Sequence, residues 1–181
     1  MSEDTAAYGT EKGGRIFAMS GTHGTGKTTS VYDLAGRMKR INPRVEVGIL
    51  CEVARRCPLP IVRRGCSAVN PDAQRWIFAS QMAEEITAMK RYDLVVADRT
   101  VVDCIAYTRA GGLHELARAM MIMAGEHMHV YREIYFKRAA DCRYCADDGL
   151  RNLDEDFRLR VEREMLEIYH ALGTTPKQWR A

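Results

Sequence analysis

Gly21-Thr22-His23-Gly24-Thr25-Gly26-Lys27-Thr28 is the stretch whose reading decides the fold. It fits G-x-x-x-x-G-K-[ST], the pattern of a loop built to cradle phosphate. The flanks fit as well. Residues 15–20, Arg-Ile-Phe-Ala-Met-Ser, are short and apolar enough for a buried strand. Beyond the motif, Val31, Leu34, Ala35 and Met38 recur at helical spacing, so 29–38 reads as an amphipathic helix. The motif thus lies between a strand and a helix, the context its mechanism requires.

The glycines let the backbone bend so that successive N–H groups point inward at phosphate oxygens. The helix that follows aims the positive end of its dipole at the same place. Lys27 reaches the β- and γ-phosphates of a nucleoside triphosphate, and the Thr28 hydroxyl holds Mg²⁺. The expected nucleotide-binding set is Gly21, Thr22, His23, Gly24, Thr25, Gly26, Lys27, Thr28 and Thr29, with His23 filling one of the free positions of the motif.

The chain of 181 residues is enough for one compact domain. Residues 1–14 are polar and small and read as a flexible N-terminal tail, which leaves 15–181 as a single domain. Hydrophobic residues make up 46%, enough to bury a sizeable core. Twenty-seven Lys and Arg stand against 24 Asp and Glu, a net charge of +3, too mild to argue for a nucleic-acid partner. No run approaches the ~18 apolar residues of a membrane span. With no apolar leader at the start of the chain, the six cysteines are expected to be reduced thiols of a cytoplasmic protein.

Strand and helix patterns alternate along the chain. Residues 45–51 and 93–98 read as the second and third strands and 129–136 as the fourth. A helix starts at Asn70-Pro71-Asp72, a cap residue followed by proline at the first helical position and an acid. It runs to about Arg91, with Ile77, Phe78, Met82, Ile86 and Met89 as its apolar stripe. Residues 102–109, 113–127 and 154–172 are the other helices. The Met-rich helix at 113–127 suits either the core or a homodimer face. The pattern predicts a three-layer α/β/α domain around a parallel sheet of four to five strands, because residues 173–181 are too short and polar to read firmly as a fifth.

Ligands bind such sheets at the carboxyl ends of the strands. Asp98 ends the third strand, where a carboxylate can hold Mg²⁺ beside Thr28, and Arg99 follows it directly. A salt-bridged pair capping the next helix is the plainer alternative. Glu52 follows the second strand and can accept a proton from an attacking hydroxyl. The polar segment 137–153, with Lys137, Arg138, Arg143 and Arg151, reads as a lid that closes on a transferring phosphoryl group, or as a solvated surface loop. Arg55, Arg56, Arg63 and Arg64 suit a substrate phosphate or a solvated loop. Cys142 and Cys145 have the spacing of half a zinc site, with no second half to match.

Gly21 to Thr28, Glu52, Asp98-Arg99 and Asp147-Asp148-Gly149-Leu150-Arg151 together resemble the P-loop nucleoside and nucleotide kinase superfamily, in its AAA-annotated ATP-binding branch related to the nicotinamide riboside kinase domain. The resemblance implies a sheet in the order 2-3-1-4-5 with a lid, Lys27 and Thr28 on ATP and Mg²⁺, Asp98 at the metal, and Glu52, Arg99 and Arg138 at the transfer step. It implies a small nucleoside or nucleotide as phosphoryl acceptor. A nucleotide-dependent regulatory switch acting on a protein or lipid partner would use the same loop without needing Glu52.

Overall fold

The computed structural model describes residues 15–62, 69–141 and 155–179. Five parallel strands, β1 (Ile16–Ser20), β2 (Val47–Leu50), β3 (Leu94–Asp98), β4 (Tyr131–Phe136) and β5 (Lys177–Gln178), form one sheet in the order β2-β3-β1-β4-β5. The expected order is the one observed. The fifth strand does form, but from two exposed residues. Trp179, just beyond it, donates its N–H to the Phe136 carbonyl at 3.0 Å and packs edge-on against Tyr135.

Side chains alternate across the sheet, and this sorts the core into layers. Phe17 and Met19 of β1 join Leu94 and Val96 of β3 on one face. There they meet Val31, Leu34, Ala35 and Met38 of α1 (Lys27–Ile41). Ile16, Ala18, Val95 and Ala97 point the other way, toward Ala88 of α2 (Pro71–Arg91). A larger cluster on that side joins α2, α3 (Val101–Ala110), α4 (His114–His127) and α5 (Glu155–Ala171). A sheet covered on both faces explains why β1 and β3 are buried throughout and apolar up to their last residues, Ser20 and Asp98, rather than alternating.

The helix starts differ in a way that matters for function. Asn70 caps α2, its side chain accepting from the Asp72 N–H, and Thr100 with Asp103 forms a reciprocal capping box on α3. The start of α1 has neither a side-chain cap nor an acid in its first turn. Its N-terminal dipole end is therefore left to an anion.

The expected apolar stripe of α2 is corrected by the structure. Ile86 is largely exposed, and the buried face carries Gln74, Gln81 and Glu85 beside Ile77 and Phe78. These polar side chains find partners on other elements, which periodicity within one helix cannot register. Among the described residues, no helix is long and apolar enough to cross a membrane.

Candidate functional site

The loop between β1 and α1 is folded tightly on itself. Gly21, Gly24 and Gly26 all take positive φ, at 137°, 75° and 70°. Gly21 has a second reason to be glycine, because a Cβ there would overlap the carbonyl oxygen of Lys137 at the end of β4. The Lys137 ammonium also reaches the loop, donating to the Gly26 carbonyl at 3.2 Å and to the Ser30 hydroxyl at 2.9 Å. The loop is thus held from the β4 side as well as by its own helix.

Lys27 is buried and donates to the Thr22 carbonyl at 2.6 Å. Burial pushes its ammonium down to about 7, and the nearby Arg99 charge pushes the same way, against Asp103, Asp98 and Glu52. A group in this state gains from an anionic partner. Thr28 and Thr29 are exposed on the first turn of α1, on the open side of the loop.

The Thr28 hydroxyl donates to Asp98 Oδ2 at 2.6 Å. Asp98 is buried, and its Oδ1 has no hydrogen-bond partner among the described residues. A hydroxyl and a carboxylate in contact, with one carboxylate oxygen unspent, fit an octahedral oxygen-ligated cation such as Mg²⁺. Among the described residues, no cluster of three His, Cys, Asp or Glu could bind a metal on protein ligands alone.

Glu52 lies beyond β2 and is buried against Arg99. Arg99 approaches Glu52 Oε1 through Nε at 2.8 Å and Nη2 at 2.7 Å, and Arg55 Nε donates to Oε2 at 2.9 Å. Burial works against the Arg99 charge, but Glu52, Tyr107, Asp103 and Asp98 outweigh it and hold the guanidinium well above its ordinary range. The Arg99 guanidinium lies 5.1 Å from the Tyr107 ring centroid. Tyr107 Oη in turn accepts the His23 N–H at 3.0 Å and lies 3.0 Å from His23 Nδ1. Asp103 Oδ1 accepts the Gly21 N–H at 3.3 Å, and its Oδ2 accepts from the Ser20 hydroxyl at 2.9 Å. The phosphate loop, the end of β3 and α3 therefore form one connected site.

A family model described as an AAA domain matches residues 16–177. The chain belongs to this AAA-domain family. Solved structures share the fold of the AAA domain at low identity. Thymidylate kinase from Ehrlichia chaffeensis is 15% identical, with TM-score 0.62, covering 92% of this chain and 88% of its own. Thymidylate kinase from Candida albicans is 12% identical, with TM-score 0.67, covering 93% and 85%. Deoxyadenosine kinase from M. mycoides is 12% identical, with TM-score 0.61, covering 91% and 88%. The fold is that of the P-loop nucleotide kinases. None of the curated proteins compared with the chain matches it.

Within the AAA domain, the expected Lys27, Thr28, Asp98, Glu52 and Arg99 come together. His23 is more than a filler of the motif, being buried and tied to Tyr107. Arg138 is exposed on the segment leaving β4, one residue beyond Lys137. Gln81 of α2 turns its amide NH₂ inward, its Nε2 donating to Glu85 and facing the Arg99 carbonyl. Arg63, Arg64, Cys142, Arg143, Cys145, the Asp147-Asp148-Gly149 stretch and Arg151 lie outside the described residues.

Tyr107 and Asp103 were not singled out for the site from sequence, and Lys137 was read there only as part of the lid segment. For the first two a signal existed, since Asp103 and Tyr107 stand four apart on one face of α3 and continue the spacing from Arg99, which itself precedes the helix.

Proposed function

We propose that this AAA domain is a phosphotransferase that moves the γ-phosphoryl group of Mg·ATP to a small nucleoside- or nucleotide-like acceptor. The observation that carries the reading is the buried Glu52–Arg99 pair beside Lys27, with Arg99 close enough to press on the lysine's charge. A loop that only holds a nucleotide has no need of a desolvated acid and guanidinium next to it. The kinases that share the fold support the same class.

In this reading Gly21 to Thr29 hold the triphosphate, and Thr28 with Asp98 hold Mg²⁺. The metal supplies charge neutralisation on the phosphate oxygens. Arg99 and Arg138 draw on the equatorial oxygens of the group in transfer, and Lys27 steadies the β- and γ-phosphates. Glu52 takes the acceptor proton. Its two oxygens are engaged by Arg99 and Arg55, so its basicity rises only as the phosphoryl group competes for Arg99. That exchange couples loading of the site to activation of the base.

The test is acceptor-dependent ADP release across nucleosides, nucleoside monophosphates and nicotinamide riboside, with wild type and Glu52→Gln. The expected result is turnover on at least one acceptor and a loss of about 10²-fold or more in kcat for Glu52→Gln, with ATP affinity kept. Slow hydrolysis that ignores both acceptor and substitution would replace this reading with a nucleotide-dependent switch.

A further inference from the structure

Arg99 is the one non-glycine among the described residues with positive φ, at 91°. Such a conformation is strained and persists only where neighbours over-determine it. On one side the Arg99 N–H donates to the Met19 carbonyl at 2.9 Å. On the other side stands a polar cluster that the transfer step does not use. Its centre is Glu85 of α2, fully buried on the helix face that was expected to be apolar.

Glu85 receives Gln81 Nε2 on Oε1 at 2.8 Å and His127 Nε2 on Oε2 at 2.6 Å. The Tyr131 hydroxyl donates to both oxygens, at 2.8 and 2.9 Å. Burying a carboxylate costs several kcal/mol, and a well-packed apolar side chain would avoid that cost. What the carboxylate adds is direction, because it only accepts. The single Tyr131 proton must point at Glu85, which leaves the phenol lone pair to accept the Val101 N–H at 2.9 Å. Burial, reinforced by Glu85, holds that phenol well above its ordinary range, so the proton stays in place. The Gln81 amide must likewise turn its NH₂ toward Glu85, which leaves its second hydrogen facing the Arg99 carbonyl at 3.5 Å. Two of the contacts that brace the corner, at the Arg99 carbonyl and at Val101 just beyond it, take their polarity from Glu85, while the Thr100 hydroxyl is held separately, 2.8 Å from Tyr169 Oη.

We propose that Glu85 is a positioning residue that holds the Asp98-Arg99-Thr100 corner, and hence the Arg99 guanidinium, through Gln81 and Tyr131. Its kinetic consequence rests on the phosphotransferase reading; its structural consequence does not.

The experiment uses Glu85→Gln and Tyr131→Phe in the full chain. Val161→Ala, a fully buried core change on α5, serves as a control that lowers stability alone. Hydrogen exchange of Arg99 Nε–H and Val101 N–H is followed by NMR, and kcat and KM for ATP are measured with an active acceptor. Both variants should speed exchange at the two groups by about tenfold or more relative to the control. Both should lower kcat by about tenfold to 100-fold with KM for ATP within about twofold, the cost of a misplaced group rather than a missing one. The double variant should lose no more than the worse single, because one chain of contacts is broken twice.

Exchange at both groups matching the control overturns the proposal, whatever the turnover. Faster exchange with unchanged kcat overturns the positioning role. A wild-type chain without acceptor-dependent turnover sinks the phosphotransferase reading instead, and the exchange data still decide whether Glu85 holds the corner. Should Glu85→Gln fail to fold, Tyr131→Phe, which removes one hydroxyl and keeps the ring, carries the same comparison.

Discussion

Lys27 donates to a neutral carbonyl while buried, and its ammonium is pushed down to about 7. A polyphosphate substitutes an anionic partner and restores the charge, so binding takes up a proton above that pH. Affinity for Mg·ATP should therefore fall as pH rises from 7.5 to 9, by up to about tenfold per unit. Calorimetry at pH 8 in buffers of different ionisation enthalpy should show uptake of about one proton per nucleotide bound. A flat affinity over that range would count against the role given to Lys27. The same shift has a folding consequence. Its value in the folded chain lies below the 10.5 of the unfolded chain, so the burial cost is fully present below about pH 7 and is relieved as pH rises toward 10.5. Lys27→Met should raise Tm most at pH 6 and least at pH 9, read by thermal melts in the two buffers.

The phosphate loop is held by elements on either side of it, which gives a prediction about its geometry. Gly21 combines a φ of 137° with backbone from β4 where a Cβ would stand. Gly21→Ala should cost about 1–3 kcal/mol in urea unfolding and weaken nucleotide binding more than it weakens the fold. A variant with wild-type affinity would show that the β4 contact is not needed to shape the loop. The loop, β1 and the start of α1 were legible in the sequence because their information is local, with glycine spacing, an apolar run and 3.6-residue periodicity side by side. The cap of α2 was legible for the same reason. The buried polar face of α2 was not, because Gln74, Gln81 and Glu85 find Thr108, Arg99, Tyr131 and His127 on α3, the end of β3, β4 and α4. Glu52 was readable as an acid after a strand. That two arginines hold it was not, since Arg99 lies 47 residues away. Lys137 was read as part of a lid, whereas its side chain lies against the first turn of α1.

The strand order assembles the site. With β1 between β3 and β4, the loop after β1 is flanked by Asp98 at the end of one neighbour and Lys137 beyond the end of the other. β2 outside β3 then brings Glu52 to Arg99. The far edge is thinner. Two residues of β5 and Trp179 close the sheet, with Trp179 packed on Tyr135 and the Arg37 guanidinium 5.7 Å from its ring. Trp179→Ala should cost about 1–3 kcal/mol by loss of aromatic packing, with the metal pair on the other side of β1 intact. Mg-dependent stabilisation by nucleotide tests that pair at the scale of the whole fold. Ligand that binds only the folded state adds about 2.7 kcal/mol at a hundredfold excess over Kd, which for a chain of this size raises Tm by roughly 5–10 °C. If Thr28 and Asp98 hold the cation, removing Mg²⁺ with EDTA should take away most of that shift. Asp98→Asn should make the shift insensitive to Mg²⁺ while leaving a remnant from the loop's own amides and Lys27. Trp179→Ala should keep the full Mg-dependent increment on a lower baseline. The three melts thus separate metal, loop and edge, and an Asp98→Asn chain with an undiminished Mg-dependent shift would remove Asp98 from the metal site.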